Sequence, residues 1–353
     1  MSKINWEVTL QSLTQKDDSI KCVVEGIDGS LCLGFSLQNR TGSVEVVGPN
    51  GELQWFVSTP GPVNRLRVTQ DGTIVAGLSE KNDPEIFGIS PQGICLWRKK
   101  NGVLLDIGQE GTVLVGESQD DCKRILVLDS KNGNELESID LKSQPNGSSL
   151  LYSTMKALNS VFRLNMFDDS MSVFDKESNT LLVANNRNNS EDYREVICCS
   201  LDTHKINVEK IEDCKKCDRE VRLRDGKVGF IGLMNDRNYS FFIWDADIEE
   251  FVKSSYNFGG RSGINFINSR YKRPGFWEGQ DEILISKGES IIRLEMDLNP
   301  TIAYLPPVGT AFQGNPVVDA SSNIYSVISR ESQLEMHKSN CELIALRPRG
   351  GSH

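Results

Sequence analysis

Two pairs of arginines alternate along stretches with strand character. Arg65 and Arg67 lie in VNRLRVT (63–69), and Arg222 and Arg224 lie in VRLRD (221–225). Alternate residues of an extended chain share a face, so each pair presents two guanidiniums together. A guanidinium grips carboxylate or phosphate through paired N–H groups, and burying one without a partner is costly. Two readings follow. Either the arginines meet acidic residues such as Glu25, Asp106, Asp175 or Asp319, or they line a wet cavity that takes an anionic small molecule. The segment SYNFGGRSG (255–263) supplies a second anion-binding candidate. Gly259-Gly260 permits close backbone approach beside Arg261 and Tyr256, and such a turn holds an anion through N–H groups and a guanidinium. A plain tight turn is the competing reading.

A different chemistry is written into RYKRPGFWEGQ (270–280), where three cations mix with aromatic residues. Tyr271, Arg273, Phe276 and Trp277 are the residue types enriched at protein interfaces. They form either a protein-contact patch or an aromatic plug folded back over the base of the molecule. Two further loops qualify as site-bearing: 142–166, with a short helix over Leu150–Leu158, and 305–314, where Phe312 either lines a pocket or simply packs.

Other chemistries lack their residues. Cys214-Lys215-Lys216-Cys217 is a single CxxC, whereas a zinc site needs four converging ligands. A redox CxxC needs a helix N-terminus to lower its thiol pKa. His204 and His337 fall in or near turns, and His353 lies in the last residues, which read like an affinity tag (349–353). No Gly-x-Ser-x-Gly, Walker-type or dinucleotide motif occurs. No metal and no cofactor is expected. Any catalysis would rest on carboxylates, tyrosines or arginines.

The elements that position these residues repeat. One turn signal is an acidic or small residue followed by Gly or Asn, as in Asp28-Gly29, Asp71-Gly72, Glu110-Gly111, Ser178-Asn179, Asp225-Gly226 and Ser322-Asn323. Such pairs supply the positive φ of tight hairpins. A second signal follows about 20 residues later, at Gly51, Gly93, Gly133, Lys205, Asp247, Asn299 and Asn340. Its spacings are 42, 40, 72, 42, 52 and 41 residues. Short β-branched and aromatic runs lie between the marks, without helical period. Four strands per repeat, stacked around an axis, make a propeller blade. The expected fold is all-β: one seven-bladed β-propeller of four-stranded antiparallel blades over 1–348. An eighth blade is possible in the long gap after Gly133. Ile4–Leu10 (INWEVTL) reads as an outer strand that either closes the ring against the last blade or lies outside Cys341–Leu346.

Gly51-Glu52-Leu53-Gln54-Trp55 and Gly93-Ile94-Cys95-Leu96-Trp97, each preceded by DGS or DGT, resemble the pyrroloquinoline-quinone-type propeller repeat. The likeness is close over 20–141. It implies the quinoprotein-like architecture, many of whose members bind no quinone and act as scaffolds. WD-type repeats fit less well, since no Gly-His precedes the blades.

Composition narrows the partners. A net charge of −10 argues against nucleic acid and anionic membrane, both of which are bound through Lys/Arg clusters. No apolar stretch of about 20 residues exists to span a bilayer, and the first residues carry no secretory signal. Nine cysteines at irregular spacing suit a reducing compartment, the cytoplasm. The expectation is a cytosolic propeller that acts as a protein-binding scaffold. The alternative is a propeller enzyme of cyclase, lyase or isomerase type, with an anionic small molecule at the central channel.

Overall fold

The computed structural model describes residues 19–37, 40–48, 52–78, 84–119, 122–140, 171–185, 193–223, 226–235, 239–257, 275–278, 282–287, 290–295, 300–304, 310–318, 324–331 and 339–346. They form seven successive antiparallel sheets, each taking its strands in chain order. The first sheet is β1 (Ser19–Glu25), β2 (Leu31–Ser36), β3 (Gly42–Val47) and β4 (Leu53–Thr59). The second is β5 (Val63–Val68), β6 (Ile74–Leu78), β7 (Glu85–Ile89) and β8 (Cys95–Lys100). The third is β9 (Gly102–Ile107), β10 (Val113–Gln119), β11 (Cys122–Leu128) and β12 (Glu135–Asp140). The fourth is β13 (Met171–Asp175), β14 (Thr180–Asn185), β15 (Tyr193–Ser200) and β16 (Ile206–Glu212). The fifth is β17 (Cys214–Arg222), β18 (Val228–Met234), β19 (Tyr239–Asp245) and β20 (Glu250–Asn257). The sixth is β21 (Gly275–Glu278), β22 (Glu282–Lys287), β23 (Ser290–Glu295) and β24 (Pro300–Tyr304). The seventh has three strands among the described residues: β25 (Thr310–Val318), β26 (Ile324–Glu331) and β27 (Ser339–Leu346). No eighth sheet occurs among the described residues.

The turn residues do what their types predict. Gly72 (φ 85°) and Asn179 (φ 48°) close first hairpins, and Gly93 (φ 79°) and Gly133 (φ 70°) close third hairpins. Only glycine, or a short polar side chain such as asparagine, occupies that region at low cost. The one helical turn among the described residues is the 3-10 turn Gln109–Gly111. No helix of the described residues is long and apolar enough to cross a membrane.

The chain divides into two compact units: Met1–Leu78 with Ile89–Cys95 and Tyr271–His353, and Ser79–Gly88 with Leu96–Arg270. In the second unit the fourth sheet is buried on both faces. Phe174, Leu181, Val183, Ile197 and Cys199 pack with the third sheet's Leu105, Leu114 and Ile125. The alternate residues Val173, Leu182, Ala184, Val196 and Cys198 pack with the fifth sheet's Phe230, Phe242 and Trp244. Strands buried on both faces read as unbroken apolar runs rather than as alternation, and LLVA (181–184) and VICC (196–199) are such runs. In the first unit the first and last sheets share a core of Leu31, Leu33, Phe35, Val317, Tyr325 and Val327.

Several expected loops are strands instead. A register shift between Ser240 and Phe242 lets the ladder continue to the Ser240–Asn257 pair, so Tyr256 stands in β20. Phe276 and Trp277, expected in a contact patch or an aromatic plug, lie in a strand. They form the middle of β21, opposite Ile285 and Leu284. Phe312 lines no open pocket: it is buried in β25 with Leu284, Ile291 and Ile328. The stretch VRLRD is strand only through Arg222, the last residue of β17. Arg224, Arg261, Tyr271, Arg273, the Leu150–Leu158 segment and Ile4–Leu10 lie outside the described residues.

Candidate functional site

The first strands of the third, fourth and fifth sheets meet at Asp106. This carboxylate is fully buried. Its Oδ1 accepts the Ile107 N–H at 2.9 Å, and its Oδ2 accepts the Phe174 N–H at 2.7 Å. Arg222 reaches across from the end of β17 to form an ion pair with the same Oδ2. A second nitrogen of that guanidinium donates to the Phe174 carbonyl at 3.2 Å. The hydroxyl of Ser172 donates to the Leu105 carbonyl at 2.7 Å. One buried charge therefore ties three strands from three sheets, and each tie is a charge-assisted or fully desolvated hydrogen bond. Of the acidic residues named as possible arginine partners, Asp106 is the one Arg222 meets. Asp175 instead accepts from the Ser178 N–H at 3.1 Å and closes its own turn.

Arg65 and Arg67 stand on one face of β5, opposite Gly77 and Val75, with Leu66 buried between them. Both are half-buried, and neither lacks a partner. Arg67 donates to the Leu66 carbonyl at 3.0 Å. Cys22 on β1 is close enough to feel their charges, and its Sγ lies 4.0 Å from the Val63 carbonyl. Burial pushes the Cys22 thiol up to about 12, and the charges of Arg67 and Arg65 pull the other way. The Arg65–Arg67 pair belongs to the first compact unit and Arg222 to the second.

The CxxC cysteines are apolar filling. Cys214 and Cys217 are buried in the same core as Cys198, whereas Cys199 faces the opposite core. Burial raises the Cys198 thiol and pushes that of Cys199 up to about 12. Thiols held protonated this way are poor ligands and nucleophiles, and they pack as small hydrophobes. The described residues hold no cluster of three or more metal-ligating side chains.

No family model matches the chain, and no curated protein does. Solved structures do. The chain is similar to the Pan2 WD40 domain of Neurospora crassa, with a TM-score of 0.59 at 11% identity over 99% of this chain and 97% of that one. A Dos1 propeller gives 0.52 at 9% identity over 97% and 80%. The WD40 β-propeller domain of Doa1 gives 0.51 at 12% identity over 98% of each. The fold is a β-propeller.

Each sheet is then a blade, and tryptophans latch some blades to the next. Trp55 on β4 donates its indole N–H to the Pro91 carbonyl of the second blade at 2.8 Å. Its ring covers Gly93, where a Cβ would lie 2.8 Å from Cδ2. Trp97 on β8 repeats this toward the third blade. It donates to the Ser130 carbonyl at 2.6 Å and covers Gly133, where a Cβ would lie 2.7 Å from Cδ2. Glycine in the turn and tryptophan in the preceding outer strand are two halves of one contact.

One surface feature had no signal in the sequence reading. The β19–β20 turn of the fifth blade holds Ile248 56% exposed. Beside it Glu249, held at φ 52°, pairs with Lys205 of the fourth blade at 3.4 Å. The Glu209 carboxyl is raised by partial burial first, then by the charges of Glu250 and Glu249. A large apolar side chain thus sits at the edge of a crowded acidic group. Composition alone hides it, because DADIEE reads as a polar turn.

Proposed function

We propose that this propeller works as a protein-binding scaffold, in a reducing compartment such as the cytosol, and that it belongs to the quinoprotein-like lineage. The observation that carries the functional reading is the Arg222–Asp106 ion pair. Arg222 is one of the arginines expected to hold an anionic ligand, and its charge is already engaged by a buried carboxylate. A ligand competing for it would leave Asp106 buried without its counter-charge, which is unfavourable by about 1–3 kcal/mol given the partial exposure of Arg222. The lineage is supported by the two tryptophan latches, which fall on the GELQW and GICLW repeats. The compartment is supported by the seven described cysteines that are all free.

For the partner surface, Ile248 and the carboxylates around it fit a segment that offers an apolar side chain flanked by lysine or arginine. Complementary charge steers encounter, and the apolar anchor supplies affinity. The Arg222 side chain is still 40% exposed, which favours a second reading, a small anion approaching its open side.

The test is a peptide array graded in charge and apolar content. Wild-type protein is expected to retain basic apolar peptides, and Ile248→Asp and Glu249→Lys are expected to weaken them about tenfold or more. No retention, or retention indifferent to both substitutions, overturns the surface. Inorganic phosphate or citrate that binds by calorimetry and is lost in Arg222→Met would favour the enzyme reading instead.

A further inference from the structure

We propose that the apolar patch of Ile27, Trp55, Pro91 and Ile94, where the first blade meets the second, docks a segment of a partner protein that carries an aliphatic side chain flanked by lysine or arginine. It rests on the scaffold reading only in requiring a protein partner. All four residues lie in the first compact unit, whereas Ile248 lies in the second.

The patch is built over two turn glycines. A Cβ at the buried Gly72 would lie 2.9 Å from Ile27 Cδ1 and 2.9 Å from Pro91 Cγ, so both side chains sit on it. The Trp55 ring covers Gly93, and its indole N–H donates to the Pro91 carbonyl. Ile94 is next in the chain after Gly93. These side chains are gathered yet left in water: Ile27 is 62% and Ile94 63% exposed, Pro91 is exposed and Trp55 half-exposed. Clustered apolar exposure of this kind marks an interaction surface.

The next repeat shows that the fold does not require it. Ile27 follows the donor of the bond from the Gly26 N–H to the Ser30 carbonyl, 2.7 Å. Gln70 follows the donor of the matching bond from Thr69 to Thr73, 3.0 Å. Pro91 and Ser130 are the carbonyls that accept Trp55 and Trp97. Ile94 and Asn134 accept the matching turn bonds, from the Ser90 N–H at 2.8 Å and the Asp129 N–H at 2.9 Å. One blade on, all three apolar positions are therefore polar, and Trp97 is buried. The latch forms equally well there, so Ile27, Pro91 and Ile94 are not needed to hold it.

The rim sets the occupant's charge. Asp28 follows Ile27 and Asp71 precedes Gly72, and both are exposed. The Oδ1 of Asp28 accepts the Ser30 N–H at 3.1 Å, and that of Asp71 accepts the Thr73 N–H at 3.2 Å, which fixes each carboxylate beside the patch. Hydrogen bonds from Ser30 also hold the Asp28 carboxyl below its ordinary value. Two copies meeting patch to patch would set like carboxylates against each other, and an anionic lipid surface would be repelled for the same reason. A cationic segment is attracted. The Trp55 N–H is already engaged, so the ring offers the partner only apolar contact, which an aliphatic side chain satisfies.

A synthetic peptide with a central leucine flanked by lysines tests the proposal, observed through the indole N–H resonance of Trp55, assigned with Trp55→Phe. That resonance is expected to move on titration, and to stay in place with the glutamate-flanked counterpart. The triple variant Ile27→Gln, Pro91→Ser, Ile94→Asn installs the residues of the next repeat. It is expected to weaken binding about tenfold or more with its circular dichroism retained. Ile27→Gln alone, at an exposed site, serves should the triple variant fail to fold, and is expected to weaken binding in the same direction. A Trp55 resonance that stays still, responds alike to both peptides, or reports unchanged affinity in these variants overturns the proposal. Binding lost in Ile248→Asp with Trp55 unmoved would leave the fifth-blade surface standing and overturn this one. A Trp55 shift indifferent to Ile248→Asp would support this patch and count against the other.

Discussion

The guanidinium of Arg222 is ion-paired to the buried carboxylate of Asp106, 116 positions away in the chain. The pair joins the first strands of the third and fifth blades across the fourth, whose Phe174 gives its N–H to one partner and its carbonyl to the other. Arg222→Met is expected to lower stability by about 1–3 kcal/mol, below the usual figure for a fully buried pair because its side chain is partly solvated. Asp106→Leu removes the carboxylate that the Phe174 and Ile107 N–H groups need, so it is expected to cost more. The double variant is expected to cost less than the two single losses combined, because neither charge is then stranded. A urea-denaturation cycle measures this. Additive losses would mean that the two groups do not depend on each other.

The tryptophan latches predict an order of effects. Trp97 is buried and its indole N–H bond to Ser130 is short. Trp55 is half-exposed. Replacing Trp97 by Phe is expected to cost about 1–2 kcal/mol through the lost bond, and the same change at Trp55 less. Gly133→Val forces a β-branched residue to positive φ and drives its Cβ into the Trp97 ring, so about 3 kcal/mol or more is expected. Thermal melts of the three variants give the ranking. An equal loss at Trp55 and Trp97 would show that burial does not set the strength of the latch.

The repeat was legible because its punctuation is local. Asp71-Gly72, Pro91-Gln92-Gly93 and Lys131-Asn132-Gly133 need positive φ at fixed places, and the structure puts Gly72, Gly93 and Gly133 there. Arg65 and Arg67 were placed on their strand for the same reason, since alternation is a property of a short segment. What was not legible depends on register. The 52-residue spacing between Asp247 and Asn299 suggests an insertion that would include Phe276 and Trp277, yet the ladder to Leu284 and Ile285 makes them strand. Tyr256 was assigned to a loop because two glycines follow it, yet a bulge after Ser240 extends β20 past it. Asp106 was one of four candidate partners, and only folding selects among residues more than a hundred positions apart. Cys22 gave no signal as a neighbour of the arginines, because its strand and theirs belong to different blades.

The crowded carboxylates around Ile248 predict a pH dependence. The Glu209 carboxyl is raised above its usual 4.5 by partial burial and by Glu250 and Glu249. A raised acid binds its proton more tightly in the folded state, so its favourable contribution is complete below the unfolded pKa. That contribution is lost as pH climbs through the folded value. At neutral pH Glu209 is therefore a repulsive charge. Glu209→Gln is expected to raise the melting temperature at pH 7 and to make little difference near pH 4. An equal gain at both pH values would assign the effect to packing instead of charge.

Thiol chemistry gives the last prediction. Burial holds the Cys22, Cys32 and Cys199 thiols near 12, and Cys198 well above its ordinary value. Cys214 and Cys217 are sealed in an apolar core. Cys95 alone among the described free cysteines is exposed, on the outer strand β8 of the second blade. Iodoacetamide labelling followed by peptide mapping is expected to modify Cys95 within minutes under native conditions. The six others described are expected to react only after unfolding, because alkylation needs both the thiolate and access to it. A Cys95→Ser variant is expected to lose that fast-reacting thiol. Native labelling of Cys214 or Cys217 at a comparable rate would mean that β17 opens on the same timescale. The core between the fourth and fifth blades would then be far looser than its burial implies.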